Sequence, residues 1–472
     1  MKPTEDAGLS LKLARHVVGI EFATLPKSTV HAARRALLDA IGVISAASGL
    51  SEEAQPFIRL AMESGGTPEA SILGTGLRAP AARAALANGA MSHALDYEDA
   101  FDAAPVHPNA SLIPAVLALA QASPEPLPGG AVIAAIVAGC DVSCRLGLSL
   151  RRPLEEGGWY PPPILAAMGA VAGAARLLAL TPQQLLDAWS LMLLQNSCSG
   201  EIIHSAESTL RAVREAFPAQ AAVDCVRLAK AGIRGFSAPF EGRAGFYAMF
   251  AGGQYSSTEL LRDLGERWFI DELSFKPWPS CRGTHAAIEC ALQLRSQHGF
   301  DVGSIERIIV AGGPVQAMLA EPLARKRAPL TGIDAKFSLP WTIALALVRG
   351  AVELESFDAA SLADPALRVI ANLVEFRLHP QWTRERAASG SLDMQLSGGE
   401  MLHHAVDDAL GSPARPLHDA RLMEKFLACL ASASRPLPTA QARTLGHRIL
   451  ALEKEPDVRS LLGGAEIVSG TP

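Results

Sequence analysis

The stretch Ala131 to Leu146, AVIAAIVAGCDVSCRL, is apolar almost all the way round a helical wheel. A helix of that kind is stable only when it is buried on most sides. A second stretch, Pro163 to Leu180, strings Ala, Gly and Met so that a neighbouring backbone can approach closely, and Thr181-Pro182 then caps a further helix, Gln183 to Gln195, expected to run back antiparallel. The core must therefore be built from small and aliphatic side chains. Composition agrees: of 472 residues 49% are apolar and only 5% aromatic, which suits closely packed helices. A chain of this length predicts two or so domains.

Net charge is -6, and the longest Lys/Arg run is Arg325 to Arg327. No extended positive footprint is present to neutralise a nucleic-acid backbone, so nucleic acid is excluded as a partner. The N-terminal MKPTEDAGLS lacks a basic-then-apolar leader pattern. The longest apolar stretch, read as Pro161 to Ala175, is shorter than the ~20 residues a spanning helix needs. No membrane role and a cytoplasmic location are expected. Seven cysteines, an odd number, argue for reduced thiols. Cys140 and Cys144 share a helix face but have no nearby Cys or His partner, so they are read as core residues and no metal site is expected.

From Leu9 to about Ile270 helical runs alternate with Gly/Pro punctuation. Between 271 and 408 the texture changes: Ile305 to Ala311, Ser391 to Leu396 and Met401 to Val406 read as strands, the last two joined as a hairpin through Ser397-Gly398-Gly399. Helices are expected at His285 to Gln297 and Leu339 to Val348. Residues 409–472 return to amphipathic helix, Asp419 to Ala433 and Ala440 to Leu452, expected to pack back on the first part. The predicted fold is mainly α: a large helical domain from 1–270 and 409–472, with a smaller α+β domain over 271–408.

Two segments carry chemistry. Asn88 to Pro114, NGAMSHALDYEDAFDAAPVHPNASLIP, crowds four acids and two histidines around a helix end and a loop, where catalytic groups usually sit. His107 precedes Pro108, which biases it to an extended conformation from which it either projects into a cleft or is held within the loop. Asp96 is suited to orienting an imidazole or binding substrate; Glu98, Asp99 and Asp102 read as solvated or capping charges. Phe275 to His285, FKPWPSCRGTH, is a proline-stiffened loop delivering Lys276, Ser280, Cys281, Arg282, Thr284 and His285. Lys, Arg and His together suit carboxylate binding, with Arg282 as a bidentate clamp and Lys276 a point charge for an enolate-like anion. A charged surface turn is the alternative for this loop.

Weaker candidates are His204, Glu207, Arg211 and Arg214, for which a surface network is at least as good a reading as a site. His403 and His404, adjacent on a strand, face opposite ways and are given no role. Nucleotide-binding and serine-hydrolase motifs are absent, and Gly74 to Ala79, GTGLRA, reads as a turn. No cofactor is implied.

Taken in order, ALANGAMSHALDYEDA, VHPNASLIPAVLALA, FEGRAGFY, FKPWPSCRGTHAAIECAL and DAKFSLPWTIALAL resemble the MmgE/PrpD family over nearly the whole chain. That family includes 2-methylcitrate dehydratase, cis-aconitate decarboxylase and iminodisuccinate epimerase. The resemblance implies the same helical domain with an α+β insertion, a homodimer and metal-free chemistry beside a substrate carboxylate. It carries the family's active-site Asp and His onto Asp96 and His107 and its Lys onto Lys276. The chain departs from the pattern at Tyr160 in GWYPPP, where many members have His, and at Arg214 and Phe217, where dehydratase-like members carry Lys and His. It departs again at Cys281, where decarboxylase-like members carry His.

The expected activity is a cofactor-independent lyase dehydrating a small citrate-like polycarboxylate. His107 is the expected base, oriented by Asp96; Lys276, Arg282, Arg214, Ser280 and Cys281 bind substrate carboxylates, and Tyr160 and His285 deliver a proton to the leaving hydroxyl. Rival expectations are an epimerase of an iminodisuccinate-like diacid, a decarboxylase of a cis-aconitate-like acid, and a non-catalytic binding relative.

Overall fold

The computed structural model describes residues 8–205, 207–383 and 386–463, and the fold is mainly α with two small sheets. The all-round apolar helix spans Gly129–Ser149, and every residue from Val132 to Leu146 is buried. Its two charges pair with each other: Arg145 donates from Nε to Asp141 at 2.7 Å and from Nη1 to the Arg262 carbonyl at 2.6 Å. This helix, rather than the Pro161 to Ala175 stretch, is the one among the described residues long and apolar enough to cross a membrane, and 83% of its apolar window lies inside the protein. Helices Pro108–Gln121 and Pro161–Leu177 pack on it. A Cβ on Gly139 would sit 2.7 Å from the Gly169 carbonyl oxygen, so the close crossing requires glycine there.

Helix Pro161–Leu177 begins two residues earlier than expected, because its three leading prolines occupy first-turn positions whose amides would have no intrahelical acceptor. That start places Tyr160 at the N-cap. Thr181 caps Pro182–Leu193 through a reciprocal box with Gln184. Strands β1 (Ala70–Ile72) and β2 (Leu77–Ala79) pair antiparallel around Gly74 and Gly76, both at positive φ, where the sequence suggested a bare turn.

The second sheet has the order β4-β3-β5-β6, made of β3 (Ile305–Gly312), β4 (Val374–Leu378), β5 (Gly390–Leu396) and β6 (Met401–Val406). The expected β5–β6 hairpin forms in the register Gly390↔Val406 to Gln395↔Met401. Strand β4, parallel to β3, was not expected. It runs on directly from helix Pro365–Leu373 with no turn residue between them, and its end is exposed at the sheet edge.

Buried apolar residues fall into two clusters. One joins the helices before Phe275 to those after Leu417, with helix Asp419–Ala431 packed on Lys27–Leu50. The other gathers Ala286 to Ala409 and also takes in Leu86, Ala90, Ala212, Val213 and Ala216. The site described next lies where these clusters meet.

Candidate active site

A Cβ on Gly89 would come within 2.6 Å of the Glu215 carbonyl oxygen. Glycine there lets helix Ala81–Ala94, with His93 in its last turn, approach helix Ala216–Lys230. Asp96 then takes φ +49, a left-handed conformation costing on the order of 1 kcal/mol for a residue with a Cβ. This tight reversal sets ligating atoms of His93, Asp96 and Glu98 within 4.8 Å of one another. His107, just before helix Pro108–Gln121, returns to the same place, its ring centroid 5.6 Å from that of His93.

Lys276 enters from the second loop. Its Nζ donates to Asp96 Oδ1 at 2.5 Å and to the Asp96 carbonyl at 3.0 Å, and lies 3.7 Å from Glu98 Oε2. Burial opposes the ammonium, but Asp96 and then Glu98 outweigh it and raise its pKa. The three-residue cluster therefore already holds a cation, and a metal ion there would have to displace it. Lys425 ties the two backbones together, donating to the carbonyls of Tyr97 at 2.7 Å and Lys276 at 3.0 Å while paired with Asp39 at 2.6 Å.

His107 Nδ1 lies 2.9 Å from the Asp99 carbonyl and 3.1 Å from Glu98 Oε1. Both partners only accept, so Nδ1 carries the proton and Nε2 presents a lone pair. Nε2 has no partner among the described residues, and the side chain is 17% exposed. Burial, reinforced by Lys276 and Arg214 against the opposing pull of Glu98, drives the His107 pKa well below that of a free imidazole. The carboxylate at its Nδ1 is that of Glu98; Asp96, expected to orient His107, faces Lys276 instead.

A third group stands alongside. Arg211 Nε and Arg214 Nη1 both donate to the Tyr160 phenol oxygen, at 3.2 and 3.0 Å. Arg214 is paired with Glu215 at 3.0 Å, and Ser111 holds the other Glu215 oxygen at 2.5 Å. Arg211 stacks 3.3 Å above the Phe337 ring, and its Nη atoms have no partner among the described residues. With both acceptor positions of Tyr160 filled by guanidinium donors, its O–H proton is what it offers outward.

Other expected residues are engaged elsewhere. Arg282 donates to Asp102 at 3.2 Å and to the carbonyls of Leu410 at 3.0 Å and Ala409 at 3.2 Å, so its guanidinium pins the loop in place of clamping a ligand. His285 is wholly buried, with Nδ1 3.3 Å from Arg282 and Nε2 3.1 Å from the Ser280 carbonyl; both ring nitrogens are occupied, which does not match proton delivery. Ser280 Oγ pairs with Thr284 at 2.8 Å. Cys281 is partly exposed, its backbone N–H bonded to the Lys336 carbonyl at 3.0 Å, and burial raises its thiol pKa.

Sequence reasoning missed His93 and Glu98 as site members and held Arg211 only as a weaker candidate. The available signals were the three-residue step from His93 to Asp96 at a helix end and the same step from Arg211 to Arg214. Glu98, read as a solvated or capping acid, is 2% exposed. His93 Nε2, Asp96 Oδ2, Glu98 Oε2 and Arg214 Nη2 are all buried without a hydrogen-bond partner. Each such atom costs roughly 1–3 kcal/mol unless a ligand or water supplies the missing partner.

Two family models match this chain: the MmgE/PrpD N-terminal domain over residues 11–258 and the MmgE/PrpD C-terminal domain over 278–445. The chain belongs to the MmgE/PrpD family. Among its MmgE/PrpD relatives, a cis-aconitate decarboxylase-like protein of Aspergillus oryzae is 24% identical across 99% of this chain and 98% of its own length. The human cis-aconitate decarboxylase is 24% identical over 84% of this chain and 83% of its own, and that of Aspergillus terreus 20% over 97% and 95%. Two of the MmgE/PrpD motif departures, Tyr160 and Arg214, bond to each other within the cluster just described.

Proposed function

We propose that this protein is a lyase dehydrating a small citrate-like hydroxy-polycarboxylate. The unpartnered atoms carry the reading, because they are of both kinds. Arg214 Nη2 needs an acceptor, which a carboxylate supplies; Asp96 Oδ2 and Glu98 Oε2 need donors, which a carboxylate lacks and a hydroxyl has.

In this reading Arg214 and Arg211 hold a substrate carboxylate. His107 Nε2 takes the proton from the carbon next to a carboxylate, and the C–H electron pair moves into that carboxylate as an enolate. The enolate re-forms as a C=C bond while the neighbouring C–O bond breaks, and the hydroxyl leaves as water with the Tyr160 proton. Solvent exchange then returns the His107 proton to Tyr160. Lys276, Arg211 and Arg214 set against Asp96, Glu98 and Glu215 keep the cluster near neutrality beside the anionic substrate.

Decarboxylation of a cis-aconitate-like acid is the second reading, favoured by the names of the relatives. Incubating the purified protein in D₂O with citrate, 2-methylcitrate, cis-aconitate and an iminodicarboxylate, followed by proton NMR and carbon dioxide release, separates the cases. New vinyl signals without gas support dehydration, and gas release supports decarboxylation. Deuterium at carbon without unsaturation points to epimerisation, and binding with no exchange would leave a non-catalytic relative.

A further inference from the structure

We infer that Glu98 and His93 together position the base: the single oxygen Oε1 of Glu98 is shared between the imidazoles of His93 and His107, and His93 sets how much of it His107 can use. The inference rests on His107 being the base of the reaction proposed above. Oε1 lies 2.5 Å from His93 Nδ1 and 3.1 Å from His107 Nδ1. The His93 contact is the hydrogen bond, while the Nδ1–H of His107 is directed to the Asp99 carbonyl at 2.9 Å with Oε1 close beside it.

The consequence follows from the charge state. Once Nε2 has accepted a proton, His107 becomes a cation, and the Glu98 carboxylate 3.1 Å from Nδ1 attracts it through charge. Whatever part of Oε1 remains engaged by His93 is withheld from that imidazolium. His93 is wholly buried and flanked by the Phe337 ring at 6.3 Å, so it acts through Glu98 as a positioning residue. The charged and titratable groups around His107 are Glu98, Lys276, Arg214 and His93, and of these Glu98 alone favours the protonated ring. Those around His93 are Arg214, Asp96, Lys276 and Arg211 besides Glu98 itself.

Opposite signs then distinguish two substitutions. Glu98→Gln removes the group that stabilises protonated His107, making it less basic. His93→Leu frees Oε1 for His107, making it more basic. A purely packing role would move both variants the same way.

The test is the rate at which diethyl pyrocarbonate modifies His107, followed by peptide mass spectrometry across pH, which reads basicity without any substrate. The pH of half-maximal reactivity is expected to fall by about one unit in Glu98→Gln and to rise by about one unit in His93→Leu. His93→Asn, whose amide can keep the donor to Oε1, should stay near the unsubstituted protein. If His93→Leu does not fold, His93→Gln, whose amide reaches the Nε2 position, takes its place with the same expected rise. Shifts of one sign in both variants, or none in variants that melt normally, overturn the inference. Failure of the dehydration reading would appear instead in the D₂O experiment, where His107 reactivity plays no part.

Discussion

Lys276 Nζ and Asp96 Oδ1 lie 2.5 Å apart with both residues fully buried, an ion pair made across 180 residues of sequence. Removing one partner strands a charge in the interior, which typically costs about 3–5 kcal/mol. Lys276→Met should therefore lower stability in urea denaturation by that order, and Asp96→Asn combined with Lys276→Met should recover most of it without recovering activity. A double variant as unstable as Lys276→Met alone would contradict the pairing. Because the ammonium already fills the His93–Asp96–Glu98 cluster, prolonged dialysis against EDTA should leave turnover within about twofold of the starting rate.

His107 is kept neutral by burial, with its pKa driven well below the ordinary imidazole value. A base must be unprotonated to act, so the acidic limb of kcat/KM should fall below the pH of about 6.5 at which a free histidine titrates. His107→Ala should lower kcat by roughly 10²–10⁴ with the melting temperature little changed. An acidic limb near pH 6.5 or above, or unchanged turnover in that variant, would take His107 out of the mechanism.

Tyr160 receives hydrogen bonds from both Arg211 and Arg214. Tyr160→Phe deletes the proton donor and keeps the ring beneath the guanidinium groups. Its kcat should drop about 10²-fold or more with a small change in KM, while Arg211→Gln should act chiefly on KM. The reverse pattern would exchange the two roles.

Asp99 is 2% exposed, and burial raises its carboxyl pKa to about 8 against the opposing hydrogen bond from Asn109. A folded-state pKa above the unfolded value of about 3.9 means that the unfolded chain loses this proton first as pH rises. The resulting stability is complete at acid pH and is lost progressively up to about pH 8. Asp99→Asn mimics the protonated form and should be more stable than the unsubstituted protein at pH 8, with little difference at pH 4. Thermal melts at the two pH values provide the comparison, and an equal gain at both would refute the assignment.

Much was legible in the linear order of residues, because the signals are local. The all-round apolar run of Ala131 to Leu146 could only be a buried helix, Thr181-Pro182 could only open one, and Ser397-Gly398-Gly399 joined two alternating runs into the hairpin observed. The two loops that carry His107 and Lys276 were likewise recognisable from their residue types and proline spacing. Strand β4 was not, since nothing local separates it from the preceding helix.

Which side chains face one another was decided only by tertiary structure. Asp96 and Glu98 are both acids on one short loop, and the sequence offered no way to tell that Glu98 would meet His107 while Asp96 met Lys276. Arg282 and His285 have the right chemistry for a substrate site, yet carbonyls and a carboxylate more than 120 residues away engage Arg282, and the loop's own Ser280 carbonyl and Arg282 hold His285. Helix and turn preferences depend on neighbours within a few positions. Hydrogen-bond partners in a buried cluster depend on how separate helices cross, and here glycines such as Gly89 set that closeness.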